Sequence, residues 1–201
     1  MLLSGARRRR PLCGGRGAVN SPASLFQRVL GGAFAQLSPA LQRCHQPGEH
    51  LVLRGQASVQ RGSGCLARLV CWCMDFPAAG EAVPVQVRME ALDQGERWLR
   101  TFGTKQFASH LLQEHGAQPG MLVEQFGPLR VQIAVTVVNG ALHWAVYGGA
   151  VWRLPLPAWC LPTGDSREFE SEGRFHFDVE ITHPFTGRIV HYRGWLAPYK
   201  R

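Results

Sequence analysis

From Gly173 to Leu196 the chain reads GRFHFDVEITHPFTGRIVHYRGWL. The alternation on both sides of His183-Pro184-Phe185-Thr186-Gly187 constrains the fold more than any other feature of the sequence. Successive side chains of a strand point to opposite faces, so a period of two marks a strand. With Phe185 and Thr186 at the tip of a hairpin, Ile181 faces Val190, Val179 faces Tyr192, Phe177 faces Gly194 and Phe175 faces Leu196. The other face sets Glu180 against His191, Asp178 against Arg193 and His176 against Trp195. A slip of one residue would mix the apolar set with the charged set, so the pattern predicts register as well as pairing.

The same period runs through most of the chain. Leu129 to Val138, LRVQIAVTVV, is followed by Asn139-Gly140, the dipeptide that suits a two-residue hairpin turn with positive φ at both positions. That turn pairs Val138 with Ala141, Val137 with Leu142, Val135 with Trp144 and Ile133 with Val146. Strands are also predicted over His50–Val59, Pro84–Leu92, Glu96–Phe102, Gln106–Gln113 and Met121–Phe126, with Glu168–Thr182 and Arg188–Leu196 as a final long hairpin. Residues 63–76, SGCLARLVCWCMDF, are too uniformly apolar for period to separate helix from strand. The three prolines of RLPLPAWCLPT, residues 153–163, predict a rigid crossing loop anchored by its apolar groups. Residues 22–45 carry the clearest helical stripe, Leu25, Val29, Leu30 and Ala33, with Ser21-Pro22 as its start. Ser38-Pro39 breaks it and opens a shorter helix through Leu41.

These elements predict a mainly β (α+β) protein. Residues 21–201 should form a single domain, an antiparallel up-and-down barrel or strongly curved sheet. It would have about eight or nine strands, with an N-terminal helix segment packed on it. The net charge of +8 is misleading as a nucleic-acid signal: residues 1–20 hold five arginines and no acid, and so supply +5 of it, leaving +3 for the rest. That Arg/Gly-rich leader is predicted to be disordered. It lacks the apolar core of a secretory signal, and no apolar run is long enough to span a bilayer. A cytoplasmic setting is therefore expected, with the six cysteines as free thiols and no nucleic-acid partner. Cys71-Trp72-Cys73 lacks zinc-site spacing, and no metal or cofactor is predicted.

No nucleophile elbow, phosphate loop or dinucleotide fingerprint is present. The candidate polar cluster is His176, Asp178, Glu180, His191, Arg193 and Trp195 from the final hairpin, with Trp98, Arg100 and Glu124 from earlier strands. The hairpin's polar face is either a solvated set of ion pairs or the lining of a curved sheet. Catalytic residues are not identifiable from sequence.

F-x-F-D-V-x-I-x-H-P-F-x-G-x-I-V-x-Y-x-G-W-L, Phe175 to Leu196, resembles the C-terminal signature of the bacterial DUF4166 family, a domain of unknown function. Shorter matches follow the same order. They are L-G-x-A-F-x-x-L-x-P-A-L-x-R-x-H (Leu30–His45), Arg54-Gly55, Phe76-Pro77, W-x-R-x-F (Trp98–Phe102), E-x-F-G-P (Glu124–Pro128) and P-L-P (Pro155–Pro157). The resemblance covers about residues 25–198. It implies a domain that stands alone or follows a nucleotide-binding dehydrogenase-like or epimerase-like domain, and it implies no catalytic residues. The favoured expectation is a non-catalytic module that binds an apolar small molecule, lipid- or isoprenoid-like, in a barrel or cup-shaped pocket. The alternatives are an accessory domain for an oxidoreductase or epimerase partner, and an enzyme using Asp178, Glu180, His191 and Arg193.

Overall fold

The computed structural model describes residues 23–46 and 50–199. The Arg-rich leader and the Ser21-Pro22 start lie outside these residues. Within them the front segment forms α1 (Leu25–Leu30), a 3-10 stretch (Gly31–Gln36) and α2 (Pro39–Cys44). The strands are β1 (His50–Arg61), β2 (Gly80–Leu92), β3 (Gly95–Phe102), β4 (Lys105–Leu112), β5 (Met121–Phe126) and β6 (Leu129–Val138). They continue with β7 (Ala141–Val151), β8 (Leu154–Pro155), β9 (Ser166–Ser171), β10 (Arg174–His183) and β11 (Gly187–Pro198). A further helix, α3 (Cys65–Cys73), lies between β1 and β2.

The strands pair antiparallel in the order β6-β5-β4-β3-β2-β1-β11-β10-β9-β7, and β6 pairs with β7, so ten strands close into a barrel with β8 as a short appendix on β7. This exceeds the sequence count because Glu168–Thr182, read as one arm, is two strands. Glu172 and Gly173 take φ of 52° and 71° and turn the chain between β9 and β10. Both hairpin registers hold. The β6–β7 pairs are those expected from Asn139-Gly140. Those of β10–β11 are as expected up to Ile181–Val190, where a bulge resets Thr182 against Arg188 and His183 against Gly187, so the turn holds three residues, Pro184, Phe185 and Thr186, rather than two.

Because the strands run up and down, the barrel has two distinct ends. α1, the 3-10 stretch and α2 plug one end with Phe26, Val29, Phe34, Leu37 and Leu41, all buried. The helix stripe was legible, but its start and continuity were not. Ser24 caps α1 in a capping box with Gln27, and Gly31 at φ 53° ends it after six residues. We expect Ser24→Ala to cost about 1 kcal/mol in urea unfolding; an unchanged midpoint would mean that the plug does not depend on its first turn. At the far end of the plug, Ala40 N–H donates to the Glu170 carboxylate (2.6 Å), and Ser38 N–H donates to the Gly140 carbonyl (2.9 Å).

The other end carries α3, the turns β3–β4, β5–β6, β7–β8 and β10–β11, and the crossing loop. That loop holds β8 and a 3-10 turn at Ala158–Cys160, and Leu156 and Leu161 lie against Gly149. Among the described residues, no helix is long and apolar enough to cross a membrane.

Candidate functional site

The barrel interior is not solid. A cavity of about 510 Å³ extends from Trp98, Phe175 and Glu168, which pack beside the helical plug, to the end that bears α3. That volume falls in the range of small-molecule pockets. Its wall follows strand parity. Val85, Val87 and Met89 of β2 face inward, as do Trp98 and Phe102 of β3, Val131 and Ile133 of β6, and Phe175, Phe177, Val179 and Ile181 of β10. Leu66, Val70 and Met74 of α3, with Leu156 and Leu161 of the crossing loop, surround the mouth.

A polar cluster on β3, β4 and β5 interrupts this apolar wall. Arg100 of β3 donates to Ser109 Oγ of β4 (2.6 Å) and to Glu124 Oε1 of β5 (2.9 Å), and Ser109 Oγ–H donates to the same carboxylate oxygen (2.7 Å). The Arg100 and Glu124 side chains are only 13% and 11% exposed, so water screens the pair poorly. The guanidinium also lies over the faces of Trp98 and Phe107, at 4.8 and 5.7 Å from their ring centres. Across the cavity, burial pushes the Tyr192 phenol up to about 12, with Arg100 opposing the shift. Tyr192 lines the cavity, and a neutral phenol there carries one O–H donor. Arg100 has spent two of the five N–H donors of a guanidinium, which leaves donors for a guest.

The floor is aromatic and also holds charge. His45, fully buried at the end of α2, shares a 2.7 Å hydrogen bond with Glu168 of β9. Its ring packs on Phe26 and Trp98, with centroids at 4.0 and 6.0 Å. Trp98 Nε1–H donates to Glu96 (2.9 Å), and the other Glu96 oxygen is buried without a partner. Burial raises the Glu96 carboxyl above its ordinary value of 4.5, opposed by the Trp98 bond and by His45. A carboxyl that holds its proton more tightly folded than unfolded stabilises the protein in acid, and that stability is lost as pH rises through the folded pKa. We expect Glu96→Gln, which keeps an acceptor for Trp98, to melt at or above the wild-type temperature, the gap growing as pH rises above the ordinary carboxyl value of 4.5. A constant gap would show that ionisation of Glu96 is not the cause.

The structure divides the residues singled out in the sequence into two groups. Trp98, Arg100 and Glu124 converge on the cavity. His176, Asp178, His191, Arg193 and Trp195 stand on the outer face of β10 and β11, because Phe175, Phe177, Val179 and Tyr192 take the inner one. Glu180 lies at the rim, where its carboxylate accepts from Arg188 (2.7 Å). The cross-strand neighbours on β10 and β11 are as expected, but the ion pairs are not between them. Asp178 meets His191 diagonally (2.7 Å) and Arg167, its direct neighbour on β9 (3.6 Å), rather than Arg193. These partly exposed pairs are each worth under about 1 kcal/mol. His176 stacks on Phe169 (5.4 Å), and Arg174 covers Trp195 (4.9 Å).

Sequence reasoning missed Ser109, Tyr192, Glu168 and His45. For Ser109 a signal existed: it alternates with Phe107 and Leu111, which places it on an apolar face. The thiols of Cys44 and Cys71 are poor nucleophiles, since burial raises both, Cys44 to about 12. Among the described residues, no group of three or more His, Cys, Asp or Glu could hold a metal ion.

A family model described as "Domain of unknown function (DUF4166)" matches residues 37–196. No curated protein matches the chain. A solved structure from Thermobifida fusca YX, of a protein provisionally named thioesterase II, aligns over 77% of this chain and 80% of its own at 11% identity. Its TM-score is 0.22, which is too low to support any argument.

Proposed function

The chain belongs to the DUF4166 family, whose function is unknown, and from that premise we propose that it is a non-catalytic carrier of an apolar small molecule. The guest is lipid- or isoprenoid-like and lies inside the barrel. The observation that carries this reading is the mainly apolar cavity of about 510 Å³, whose lining includes the Arg100–Glu124 pair, braced by Ser109, and Tyr192. An apolar wall supplies affinity, and a few fixed polar groups set orientation. Glu124 already neutralises Arg100, so a guest carboxylate would leave a net buried charge. A neutral acceptor such as a hydroxyl, ester or ketone fits better, taking hydrogen bonds from Tyr192 and the remaining Arg100 donors.

Native mass spectrometry of the purified protein, run beside a denatured and solvent-extracted sample, tests this. The expected result is an extra mass that vanishes on denaturation and whose extract partitions into organic solvent. A clean apo mass, together with no uptake of an apolar fluorescent probe, would overturn the reading. Ile133→Trp places an indole within the cavity and is expected to weaken probe uptake by roughly tenfold or more. Uptake unaffected by this change would place the probe outside the barrel.

A further inference from the structure

We propose that the open end of the barrel docks on an anionic lipid bilayer. Trp72, Trp152, Trp159 and Phe185 are each between 61% and 77% exposed, and Leu66 and Leu69 are about half exposed. Large aromatic groups seldom stand this far into water without a partner.

Their placement is not scattered. Leu66, Leu69 and Trp72 lie on α3, Trp152 at the β7–β8 turn, Trp159 in the crossing loop and Phe185 at the β10–β11 turn. The up-and-down topology brings all four segments to the same end. Trp159 and Phe185 touch, with ring centroids 6.2 Å apart. Leu66 itself lines the cavity, so the apolar rim is continuous with the apolar interior. Among the described residues the plugged end has nothing comparable: its exposed large apolar groups are Leu92, Val138 and Tyr199, each about half exposed or less.

The charge on this end favours an anionic surface. Arg68 on α3 and Arg153 beside Trp152 are exposed, and neither is ion-paired among the described residues. Two nearby acids are already held, Asp75 by Lys105 and Glu180 by Arg188. Glu81 and Asp165 oppose Arg68, Arg153 and Arg61, whose guanidinium meets only the backbone carbonyls of Phe76 and Pro77 among the described residues, so the cations remain in excess. Tryptophan with arginine is the pairing that settles at a headgroup boundary, the indole in the interface and the guanidinium on phosphate. A protein partner would be met by a continuous apolar face. Here the apolar groups sit on separate turns and one short helix around an opening. That opening would let an apolar guest pass from bilayer to cavity without crossing water. Docking goes beyond the carrier reading and is measured with no guest present.

The test is co-sedimentation of the full chain with vesicles of phosphatidylcholine alone and with about one third phosphatidylglycerol. The wild type is expected to bind the anionic vesicles, with a blue shift of its tryptophan emission. Trp72→Ser/Trp152→Ser/Trp159→Ser is expected to bind roughly tenfold more weakly at an unchanged melting temperature, since these side chains make little of the core. The run Arg7 to Arg10 could also adhere to anionic lipid, so those four arginines are replaced by serine in a second variant. That variant is expected to keep the blue shift. No vesicle binding by the wild type, or equal binding by the tryptophan variant, would overturn the proposal. So would a stable protein complex or homodimer that covers these tryptophans while vesicles go unbound.

Discussion

Arg100→Met is expected to destabilise the protein by about 3–5 kcal/mol, because it leaves the Glu124 carboxylate buried and unpaired. The loss exceeds the net worth of the ion pair. Desolvating Glu124 is offset in the native state by Arg100 and Ser109 together, and Ser109 alone supplies one hydrogen bond. The comparison that isolates this cause is Arg100→Met/Glu124→Leu, which removes both charges and keeps the volume apolar. Its stability is expected to return to within about 1 kcal/mol of wild type, or above it. Urea unfolding of the wild type, Arg100→Met, Glu124→Leu and the double variant closes the cycle and gives the coupling between the sites. A single variant that loses less than about 1 kcal/mol would mean that water reaches the cluster and that the cavity is wetter than its wall suggests. The double variant also bears on the carrier reading, since a folded barrel without the cluster should still take up an apolar probe but lose its preference for guests with a polar end.

Gly194→Ala is expected to be at least as damaging, at about 3 kcal/mol or more, and to reduce the yield of folded protein. A Cβ at Gly194 would stand 2.1 Å from the Gln56 carbonyl oxygen of β1, and one at Gly55 would stand 1.8 Å from that of Trp195 on β11. Neither obstacle is a flexible side chain; both are backbone of the paired strand. The methyl can be accommodated only by moving β1 and β11 apart where they close the barrel. Such inward-facing glycines let strands bend sharply enough to close a sheet. Gly55→Ala should behave alike, and Gly173→Ala, at an open turn, should lose only what its positive φ demands, on the order of 1 kcal/mol. Circular dichroism and urea midpoints distinguish these outcomes. A Gly194→Ala protein with a wild-type midpoint would show that the two strands do not approach so closely.

What could be read from the sequence was what local chemistry determines. Asn139-Gly140 and the sorted faces of residues 174–196 each fix a register within a few residues, and both registers stand in the structure. α3 was illegible because it is apolar on nearly every side. Val70 and Leu66 reach toward the cavity while Leu69 and Trp72 face water, so burial leaves no period in the sequence. The site divided along the same line. The charged face of β10 and β11 drew attention because it was complementary, yet complementarity also suits a wet surface. The buried charges had a sharper signature: Arg100 alternates with Trp98 and Phe102, and Glu124 with Leu122 and Phe126. A charge in step with large apolar groups is a charge aimed inward. His45 and Glu168 meet across 123 residues of chain, a distance that no local pattern encodes.

The closure of the barrel also sets an order of assembly. Nearly every strand pairs with its neighbour in the chain, so hairpins can form one by one as the polypeptide lengthens. The seam between β1 and β11 is different, since it joins Leu53 to Pro198 and Arg61 to Val190. During synthesis β1 must wait, one edge bare, until the final strand leaves the ribosome, on the order of ten seconds later. Throughout that interval the growing protein is an open sheet with an apolar concave face. The hazard of misassembly is therefore greatest before the last strand arrives.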